Sequence, residues 1–480
     1  MENLLKGLEY KILQKGRDEN FTGIEYDSRK IKDGNIFVAL EGAVVDGHDY
    51  IDKAIELGAK CIIVSKEVQY KEGITYILIH DLRKKLGIIG SNFYSWPQKQ
   101  LEIIGVTGTN GKTTSTYLLE SILGSENVAR IGTIEYKVGN EIIEAPNTTP
   151  ESLDIVKICK KAVDKGIKYL VMEVSSHALE FGRVAMLDFD VASFTNLTPE
   201  HLDYHKNMEN YYLAKRKLFT KLKENCKDNS VINIDDEWGE KLYNEFGGYS
   251  YSVKKKSNIQ GKILEFHSDG QLVEININGE IERIKLAILG RYNLYNVLGV
   301  VGIALKLGIE KEIIFDRIKD LKGAPGRFEL ISCKQDFIAV VDYAHTGDAL
   351  TNILENINEL KKARVITVFG CGGDRDSSKR PVMGEIATRL SDIAILTSDN
   401  PRTENPVQII NDVLEGMKTD NYIVEMDREK AIMKAVELAE PNDIILVAGK
   451  GHETYQILGR KKIHFDDREI LRREMVRKRK

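Results

Sequence analysis

The feature that most constrains the fold is the alternation of short apolar runs with amphipathic segments along almost all of the 480 residues. Runs such as GNIFVAL, CIIVS and LEIIGV have the length of strands, and helix-like stretches such as YIDKAIELGA separate them. Strands that alternate with helices are typical of α/β proteins with parallel sheets. Because the chain is too long for one ordinary core, the pattern predicts several α/β domains.

Two breaks in this pattern indicate domain boundaries. SWPQKQ (95–100) contains a proline between periodic segments, and LKGAPGRFEL (321–330) contains a Gly-Ala-Pro-Gly cluster. The sequence therefore predicts three domains, at 1–97, 98–326 and 327–480. The middle domain includes a polar, β-rich insert around 250–290.

Composition and charge exclude several classes of protein. Hydrophobic residues make up 42% and charged residues 30% of the chain, as in soluble globular proteins. The N-terminus has no apolar signal segment, and no apolar run reaches the roughly 20 residues that span a bilayer. The net charge of −4 argues against general nucleic-acid binding, and five scattered cysteines suggest neither a disulfide framework nor a zinc cluster. We expect a cytoplasmic protein without membrane or nucleic-acid partners.

A phosphate-binding loop follows the strand LEIIGV. The segment TGTNGKTT leads directly into the amphipathic helix TSTYLLESIL. Glycines allow backbone N–H groups to approach phosphates, and a helix N-terminus favours negative charge. Val106 occupies the first glycine position of the strict GxxxxGK[ST] pattern, but strand, loop and helix remain in register. The residues predicted to bind a nucleoside triphosphate are Gly108, Thr109, Asn110, Gly111, Lys112, Thr113 and Thr114, with Lys112 on the β- and γ-phosphates and the Thr113 hydroxyl on Mg²⁺.

Acidic and histidine residues of the middle domain are candidates for holding the metal. Glu173 ends the apolar strand YLVME, and His201 and His205 lie in the polar loop TNLTPEHLDYH. Each has a structural alternative, since a glutamate can cap a helix and a lone histidine is more often a packing residue. Lys215, taken alone, is typical of a solvated helix face.

Three polar loops follow buried strands in the last section. RVITVFG, DIAILTSD and DIILVAG are near-continuous apolar runs, as in parallel strands, and lead into GCGGDRDSSKR, SDNPRTENP and GKGHETY. Ligands of such sheets bind at the carboxyl ends of the strands, so these loops predict a binding site.

Eleven motifs in order, spread from Asp27 to about His464, resemble the Mur ligases of bacterial peptidoglycan precursor synthesis, and in particular their diaminopimelate-adding branch. They are TGTNGKTT, NTTPES, MEVSSHAL, NLTPEHLDYH, YYLAKRKLF, GRYNLYNVLG, GAPGRFE, VDYAHT, GCGGDRDSSKRPVM, SDNPRTENP and GKGHE. The resemblance implies an N-terminal α/β domain for the uridine nucleotide, a central P-loop ATPase domain and a C-terminal Rossmann-like domain for the amino acid, in a monomer.

The implied reaction is an ATP-dependent ligation. ATP phosphorylates the D-glutamyl γ-carboxylate of UDP-N-acetylmuramoyl-L-alanyl-D-glutamate (UDP-MurNAc-dipeptide), and the amine of a diamino dicarboxylic acid attacks the acyl phosphate. Phosphorylation gives a poor electrophile a good leaving group, while Mg²⁺ and Lys112 neutralise the developing charge.

The resemblance also implies roles for individual residues. Glu173 and His201 match metal ligands, and Lys215 matches a lysine carbamylated by CO₂ that supports a second Mg²⁺, with Lys217 as the adjacent alternative. The implied ATP contacts beyond the loop are Asn293, Asn296, Arg327 and Asp342. The implied contacts of the UDP-substrate are Ser28, Thr148, Thr149, Ser175 and Arg183.

The acceptor is the last inference. Arg402 offers a planar fork that suits the distal carboxylate of diaminopimelate, whereas the ammonium of lysine would be repelled. By resemblance, the pocket is completed by Arg380, Asp399, Asn400, Pro401, Gly449 and Glu453, with Glu453 accepting the distal ammonium. The analogue meso-lanthionine presents the same terminal groups, so both acceptors stay open.

Two other functions remain as alternatives. A folylpolyglutamate-synthase-like ligase would share the ATPase core, but GCGGDRD followed by DNPR and an N-terminal uridine domain are not expected there. A P-loop motor or transport ATPase would turn over ATP without an acceptor amine.

Overall fold

The computed structural model describes residues 1–17, 20–42, 45–267 and 269–479. The chain divides into two compact units. The first comprises Met1–Lys112, Leu123–Ile232 and Trp238–Gly248, and the second comprises Thr113–Ile122, Asn233–Glu237 and Tyr249–Lys480. Among the described residues, none of the helices has both the length and the apolar character needed to cross a membrane.

The first unit begins with a five-stranded sheet in the order β1-β5-β4-β3-β2, in which only β1 is antiparallel to its neighbour. Successive residues of the strands face opposite sides of this sheet. On each side their apolar side chains pack against a helix, so helices cover both faces. The elements are β1 (Lys11–Gln14), β2 (Gly23–Glu25), β3 (Asn35–Val38), α1 (Ile51–Glu56), β4 (Cys61–Val64), β5 (Thr75–Leu78) and α2 (Leu82–Phe93).

The second sheet of the first unit has the order β12-β11-β6-β10-β7-β8-β9. Its strands are parallel from β12 to β7, and an antiparallel meander of β8 and β9 closes one edge. The strands are β6 (Glu102–Thr107), β7 (Val128–Ile131), β8 (Glu135–Val138), β9 (Glu141–Glu144), β10 (Tyr169–Glu173), β11 (Val191–Phe194) and β12 (Ser230–Asn233). The helices of this unit are α4 (Ser152–Asp164), α5 (Ser176–Glu180), α6 (Leu202–His205), α7 (Met208–Arg216) and nearly all of α8 (Glu237–Phe246). Helix α3 (Lys112–Leu123) follows β6 in the chain, and its residues Thr113–Ile122 belong to the second unit.

The second unit contains β13, β14, β15 and β16, in which β13 is parallel to β14 and the remaining pairs are antiparallel. These strands form the polar, β-rich insert that the sequence predicts, and a largely buried helix follows them. The elements are β13 (Tyr249–Ser252), β14 (Ile259–His267, with Ser268 outside the described residues), β15 (Gly270–Ile277), β16 (Glu280–Leu286), α9 (Arg291–Lys306) and α10 (Lys311–Ile318).

A doubly wound sheet completes the second unit, in the order β17-β18-β22-β19-β20-β21 with only β17 antiparallel. Helices α11, α12 and α13 pack on one face, and α14 and α15 on the other. The strands are β17 (Glu329–Leu330), β18 (Ile338–Asp342), β19 (Val365–Phe369), β20 (Ile393–Leu396), β21 (Tyr422–Val424), β22 (Ile444–Ala448) and the hairpin β23 (Tyr455–Leu458) with β24 (Lys461–His464). The helices are α11 (Gly347–Leu360), α12 (Lys379–Leu390), α13 (Pro406–Leu414), α14 (Arg428–Leu438) and α15 (Asp467–Lys478).

The predicted strands GNIFVAL, LEIIGV, RVITVFG, DIAILTSD and DIILVAG are confirmed as β3, β6, β19, β20 and β22. The connector SWPQKQ is more ordered than its irregular sequence suggests. Ser95 and Trp96 adopt positive φ angles of 60° and 55°, and Pro97–Gln100 forms one turn of 3-10 helix. Proline suits this position because the first helical residue needs no donated N–H.

Candidate active-site residues

The phosphate loop is fixed by the loop that follows the neighbouring strand β11. The backbone N–H groups of Thr109 and Asn110 donate to the carbonyl and side-chain oxygens of Asn196, at 2.8 and 2.9 Å. Gly108 has φ of 142°, and a Cβ there would lie 1.9 Å from the Thr195 hydroxyl oxygen. The glycine is therefore required both by its backbone conformation and by this close approach.

Lys112 begins helix α3 and folds back over the loop. Its Nζ donates to the carbonyls of Gly108 and Thr109 at 2.8 and 2.7 Å. Thr113 and Thr114 follow in the first turn of the helix, where both are buried. The local structure is the strand, glycine-rich turn and helix N-terminus on which the ATP prediction depends.

Lys215 is buried on helix α7, with 2% of its surface exposed. Its Nζ donates to the same Gly108 carbonyl at 2.8 Å and lies 4.6 Å from the centre of the Tyr211 ring. Burial, together with the charge of Lys112, holds the pKa of Lys215 well below its usual value. Lys217 instead has a half-exposed side chain and pairs with Glu180 at 2.6 Å.

Glu173 lies at the carboxyl end of β10, in register with Val106 at the end of β6. It is fully buried, and its two carboxylate oxygens accept hydrogen bonds from the backbone N–H and the hydroxyl of Thr133, at 2.8 and 3.0 Å. This placement beside the strand that carries the phosphate loop agrees with a role near the nucleotide rather than with a solvent-facing or helix-capping glutamate.

The two histidines of the loop after β11 differ in their surroundings. The His201 side chain is 46% exposed, with a positive φ of 56°, and its ring meets that of His177 edge-on at 4.9 Å. His205 is buried, stacks on Tyr211 and shares a hydrogen bond of 2.9 Å with the Ser176 hydroxyl. His201 is therefore the more accessible of the two candidate ligands, and His205 is a packing residue.

Four of the five predicted UDP-substrate residues lie together. Thr149 donates its hydroxyl to the carbonyl of Glu173 at 2.8 Å and to the Ser175 hydroxyl at 3.3 Å, and Arg183 donates to the Thr149 carbonyl at 3.0 Å. The hydroxyl of Thr148 lies 3.1 Å from that of Thr133. Ser28 is buried in a short helical turn at Ser28–Lys30, and within the described ranges no hydrogen bond joins it to the other four.

Two residues not predicted from the sequence, Glu151 and Arg83, lie beside this group. Glu151 accepts from Arg83 at 2.7 Å and from Arg183 at 3.0 Å through the same carboxylate oxygen. Glu151 belongs to the motif NTTPES, so its position next to the two threonines is the signal that could have identified it.

The predicted ATP contacts of the second unit form two groups. Asn293 and Asn296 are buried on neighbouring turns of α9, with their side chains 3.4 Å apart. Asp342 ends β18, where its carboxylate accepts the backbone N–H groups of Phe328 and Ala344 at 2.7 and 2.8 Å. Burial raises the pKa of Asp342, and the charge of Arg327 opposes that effect.

Arg327 stacks over the ring of Tyr343 at 4.9 Å, and its Nε has no hydrogen-bond partner among the described residues. His452, which the sequence analysis did not single out, packs against the same tyrosine at 5.0 Å. Burial and the charges of Arg327 and Arg468 lower the pKa of His452 to about 4. His452 is therefore neutral at physiological pH.

The carboxyl ends of β19, β20 and β22 enclose a cavity of about 290 Å³. Six of the seven predicted acceptor-binding residues line it: Arg380, Asp399, Asn400, Arg402, Gly449 and Glu453. Pro401 is buried between two of them. A larger groove of about 440 Å³, between the ends of α11 and α12, contains none of the predicted site residues.

The two predicted arginines of the cavity are held differently. Arg402 has a positive φ of 51°, and its Nη1 donates to the Gly373 carbonyl at 2.5 Å. Arg380 has a nearly buried side chain and pairs with Glu404 at 2.7 Å and with Asp412 at 2.8 Å. The guanidinium of Arg380 is thus already matched by two carboxylates, whereas no carboxylate of the described residues forms an ion pair with Arg402.

Two further cations of this region were missed. Arg375, in the loop between β19 and α12, also lines the cavity. Lys450 is fully buried, and its Nζ donates to the side chains of Asn400 and Glu453 at 3.2 and 3.3 Å. Its position in a glycine-rich loop directly after a buried strand is the signal that could have identified it.

Three family models match consecutive segments of the chain. They are the Mur ligase family catalytic domain over residues 20–99, the Mur ligase middle domain over 106–304 and the Mur ligase glutamate ligase domain over 326–451. The predicted three-domain α/β architecture is thereby confirmed. The boundaries drawn at 97 and 326 stay predictions.

Curated relatives match over nearly the whole chain. A UDP-N-acetylmuramoyl-L-alanyl-D-glutamate–2,6-diaminopimelate ligase of Fusobacterium nucleatum subsp. nucleatum is 57% identical over 99% of this chain and 98% of the relative. A ligase of the same name from Clostridium botulinum is 48% identical over 98% of both chains.

Solved structures also match the chain over most of its length. A structure of a UDP-N-acetylmuramoyl-L-alanyl-D-glutamate–2,6-diaminopimelate ligase has a TM-score of 0.70 and 31% identity, covering 96% of each chain. A folylpolyglutamate synthase of Mycobacterium tuberculosis shares the fold at 15% identity with a TM-score of 0.58, covering 76% of this chain and 92% of that chain. With three consecutive family models and a relative 57% identical over almost its full length, the chain belongs to the Mur ligase family.

Proposed function

We propose that this chain adds meso-diaminopimelate to the D-glutamyl γ-carboxylate of UDP-MurNAc-dipeptide, with ATP as the source of energy, in peptidoglycan precursor synthesis. This is the activity of the MurE branch of the family. The observation that carries the proposal is the cavity at the carboxyl ends of β19, β20 and β22, which is lined by Arg402 together with Asp399 and Glu453. The names of the curated relatives support the same acceptor.

The acceptor proposal follows from the charges in the cavity. Diaminopimelate carries a carboxylate and an ammonium at each end, so it needs both signs of charge in its pocket. Arg402 and Arg375 supply cations, and Asp399 and Glu453 supply carboxylates. Meso-lanthionine would satisfy the same groups, whereas lysine would leave a cation without its carboxylate.

The reaction proceeds in two covalent steps. A γ-carboxylate oxygen of the UDP-substrate attacks the γ-phosphorus of ATP, which forms an acyl phosphate and releases ADP. The neutral amine of the acceptor then attacks the acyl carbon, phosphate leaves with the oxygen that linked it to carbon, and the amine loses a proton. Lys112 can move from the two loop carbonyls to the transferred phosphoryl group, where its charge opposes the negative charge that develops.

We also propose that Mg²⁺ binds at the phosphate loop through Thr113, Glu173, His201 and carbamylated Lys215. A hydroxyl, a carboxylate, an imidazole and a carbamate are donors suited to this use beside a nucleotide, and the ion would neutralise phosphate charge. Lys215 fits carbamylation better than Lys217 does. Carbamylation needs an uncharged amine, and Lys215 is buried beside another cation while Lys217 is ion-paired.

The other predicted residues remain proposals with different support. Thr148, Thr149, Ser175 and Arg183 are grouped as expected of a substrate-binding set, and Ser28 is assigned by resemblance alone. Asn293, Asn296, Arg327 and Asp342 are proposed ATP contacts. We further propose a monomer in the cytoplasm.

The test is phosphate release by the purified protein in the presence of ATP and Mg²⁺. We expect release only when UDP-MurNAc-dipeptide and meso-diaminopimelate or meso-lanthionine are both present, and little with L-lysine or L-glutamate. A motor or transport ATPase would release phosphate without an acceptor. A folylpolyglutamate-synthase-like ligase would require a folate and glutamate instead.

A further inference from the structure

The Asp399 carboxylate lacks a hydrogen-bond donor although it is almost buried. It lines the acceptor cavity with 8% of the residue exposed, and within the described part of the chain no donor reaches its side-chain oxygens. Its nearest cation is Arg428, whose Nη1 lies 3.9 Å from Oδ2. A carboxylate that faces a cavity and receives no donor from the protein is suited to accept one from a ligand that binds there.

Arg428 is held behind Asp399 by a second carboxylate. Its Nε and Nη2 donate to the two oxygens of Asp467 at 2.8 and 2.7 Å, and Nη2 also donates to the Ala448 carbonyl at 2.9 Å. Both charged side chains are fully buried. The remaining nitrogen, Nη1, makes no hydrogen bond among the described residues and is the one nearest to Asp399.

Asp399 and the four charged groups that act on it most strongly carry one net negative charge together. Beside it lie two cations, Arg428 and Lys450, and two further carboxylates, Asp467 and Glu453. Two cations among three carboxylates leave one negative charge, at a place where charge is weakly screened. One ammonium group would neutralise the cluster and give Asp399 its donor.

Resting on the proposed function, we propose that Arg428 is a positioning residue of the acceptor site: clamped by Asp467, it keeps the Asp399 carboxylate ionised and aimed into the cavity to bind an ammonium of the incoming amino acid. Burial raises the pKa of Asp399, and the charge of Arg428 is the largest effect that lowers it again. Without Arg428, Asp399 would therefore be neutral over a wider range of pH.

The charged and titratable groups that face Asp399 come from several elements. Arg428 is on α14 and Asp467 on α15, Lys450 and Glu453 follow β22, Cys371 follows β19, and Tyr343 follows β18. The charged groups elsewhere in the cavity lining are Arg375, Asp376, Lys379, Arg380 and Arg402, with His345 as a further titratable group. Arg428 is the only cation among the described residues within 4.0 Å of the Asp399 carboxylate.

The test replaces both members of the Arg428–Asp467 ion pair, so that neither is left as a buried charge without its partner. The double variant is Arg428→Met with Asp467→Asn. We expect the KM for meso-diaminopimelate to rise about tenfold, while the KM values for ATP and UDP-MurNAc-dipeptide stay within about twofold. Because Asp399 binds only when ionised, kcat/KM for the acceptor falls as pH drops through its pKa. Loss of the positive charge raises that pKa, so the acid limb should move to higher pH by about one unit.

A matched control lies at the opposite end of the same strands, where they begin. Arg364 and Asp443 precede β19 and β22 and form a comparable fork, with Nη2 2.7 Å from the carboxylate. Arg364→Met with Asp443→Asn should lower the melting temperature without moving the acceptor KM or its acid limb. An Arg428/Asp467 variant with a wild-type acceptor KM and acid limb would overturn the proposal.

If the double variant does not fold, the single variant Arg428→Lys tests the proposal instead. It keeps the charge but loses the fork, so the acceptor KM should rise about threefold with the other two KM values unchanged. Equal changes for all three substrates would overturn the proposal. In an Asp399→Asn background, Arg428→Lys should cause no further rise in the acceptor KM. A further rise, with the effects of the two substitutions multiplying, would contradict the proposal. Failure of the proposed function would appear differently, as absence of acceptor-dependent phosphate release by the wild-type protein.

Discussion

The phosphate loop and the acceptor cavity hold their cations in different ways. At the loop, Lys112 donates to the carbonyls of Gly108 and Thr109. In the cavity region, Arg380 is held by Glu404 and Asp412, and Arg428 by Asp467. An ammonium on a neutral carbonyl can exchange that contact for a phosphate, whereas an arginine on a carboxylate stays fixed. This difference indicates that the lysine of the phosphate loop can leave its carbonyl partners during the reaction. The arginines of the cavity region keep their positions and serve to select a ligand.

The largest expected effect is at the loop. Lys112→Met removes the charge that opposes the developing negative charge on the phosphoryl group, and we expect product formation to fall at least about 10³-fold. Phosphate release with all three substrates measures it, and an unchanged melting temperature shows that the fold persists. A variant within tenfold of wild type would contradict the role given to Lys112.

The next effect separates Lys215, on α7, from Lys217, which directly follows that helix. Lys215→Arg should lose about 10²- to 10³-fold in activity, because an arginine cannot form the carbamate that supports the metal. The matched control Lys217→Arg should stay within about twofold, since the Lys217 side chain is half-exposed and pairs with Glu180. Mass analysis of the intact wild-type protein in bicarbonate should show the added CO₂ on Lys215. Equal losses of activity in the Lys215 and Lys217 variants would contradict the assignment of the carbamate to Lys215.

A smaller effect is expected in the cavity. Arg402→Lys should lower kcat/KM for meso-diaminopimelate about 10²-fold, since a point charge cannot hold a carboxylate in two parallel hydrogen bonds. Arg389→Lys, on the exposed face of α12 where Arg389 pairs with Glu385, is the control and should change little. Parallel measurements with ATP and UDP-MurNAc-dipeptide as the varied substrates should show no comparable loss. A loss spread over all three substrates would indicate a structural role.

The smallest expected effect concerns Lys450. Lys450→Met takes a donor from Asn400 and Glu453, and we expect the acceptor KM to rise about three- to tenfold, at about 1 kcal/mol. Steady-state kinetics and the melting temperature measure it together. An acceptor KM at the wild-type value would show that Lys450 only fills space beneath the cavity.

Local patterns predicted the parts of the site that are contiguous in sequence. The phosphate loop could be identified because strand, glycine turn and lysine follow one another within a few residues. The acceptor loops could be placed because the parallel strands β19, β20 and β22 must end at one edge of the sheet. In both cases the backbone geometry follows from short segments.

Features that depend on distant residues could not be predicted. Arg428 and Asp467 are 39 positions apart, and neither lies in a glycine-rich loop, so only the packing of α14 against α15 reveals their pairing. Lys215 has the sequence character of a solvated helix residue, and only its burial against Gly108, 107 positions away, separates it from Lys217. The connector at 95–100 contains positive φ angles at Ser95 and Trp96, which its sequence does not predict.

The most direct test follows the oxygen of the substrate carboxylate. UDP-MurNAc-dipeptide labelled with ¹⁸O in the D-glutamyl γ-carboxylate is incubated with ATP, Mg²⁺ and meso-diaminopimelate, and the released phosphate is analysed by mass. If the phosphate loop activates that carboxylate, each phosphate should carry one labelled oxygen. Unlabelled phosphate would show that water attacks ATP directly, and the ligase account would be wrong.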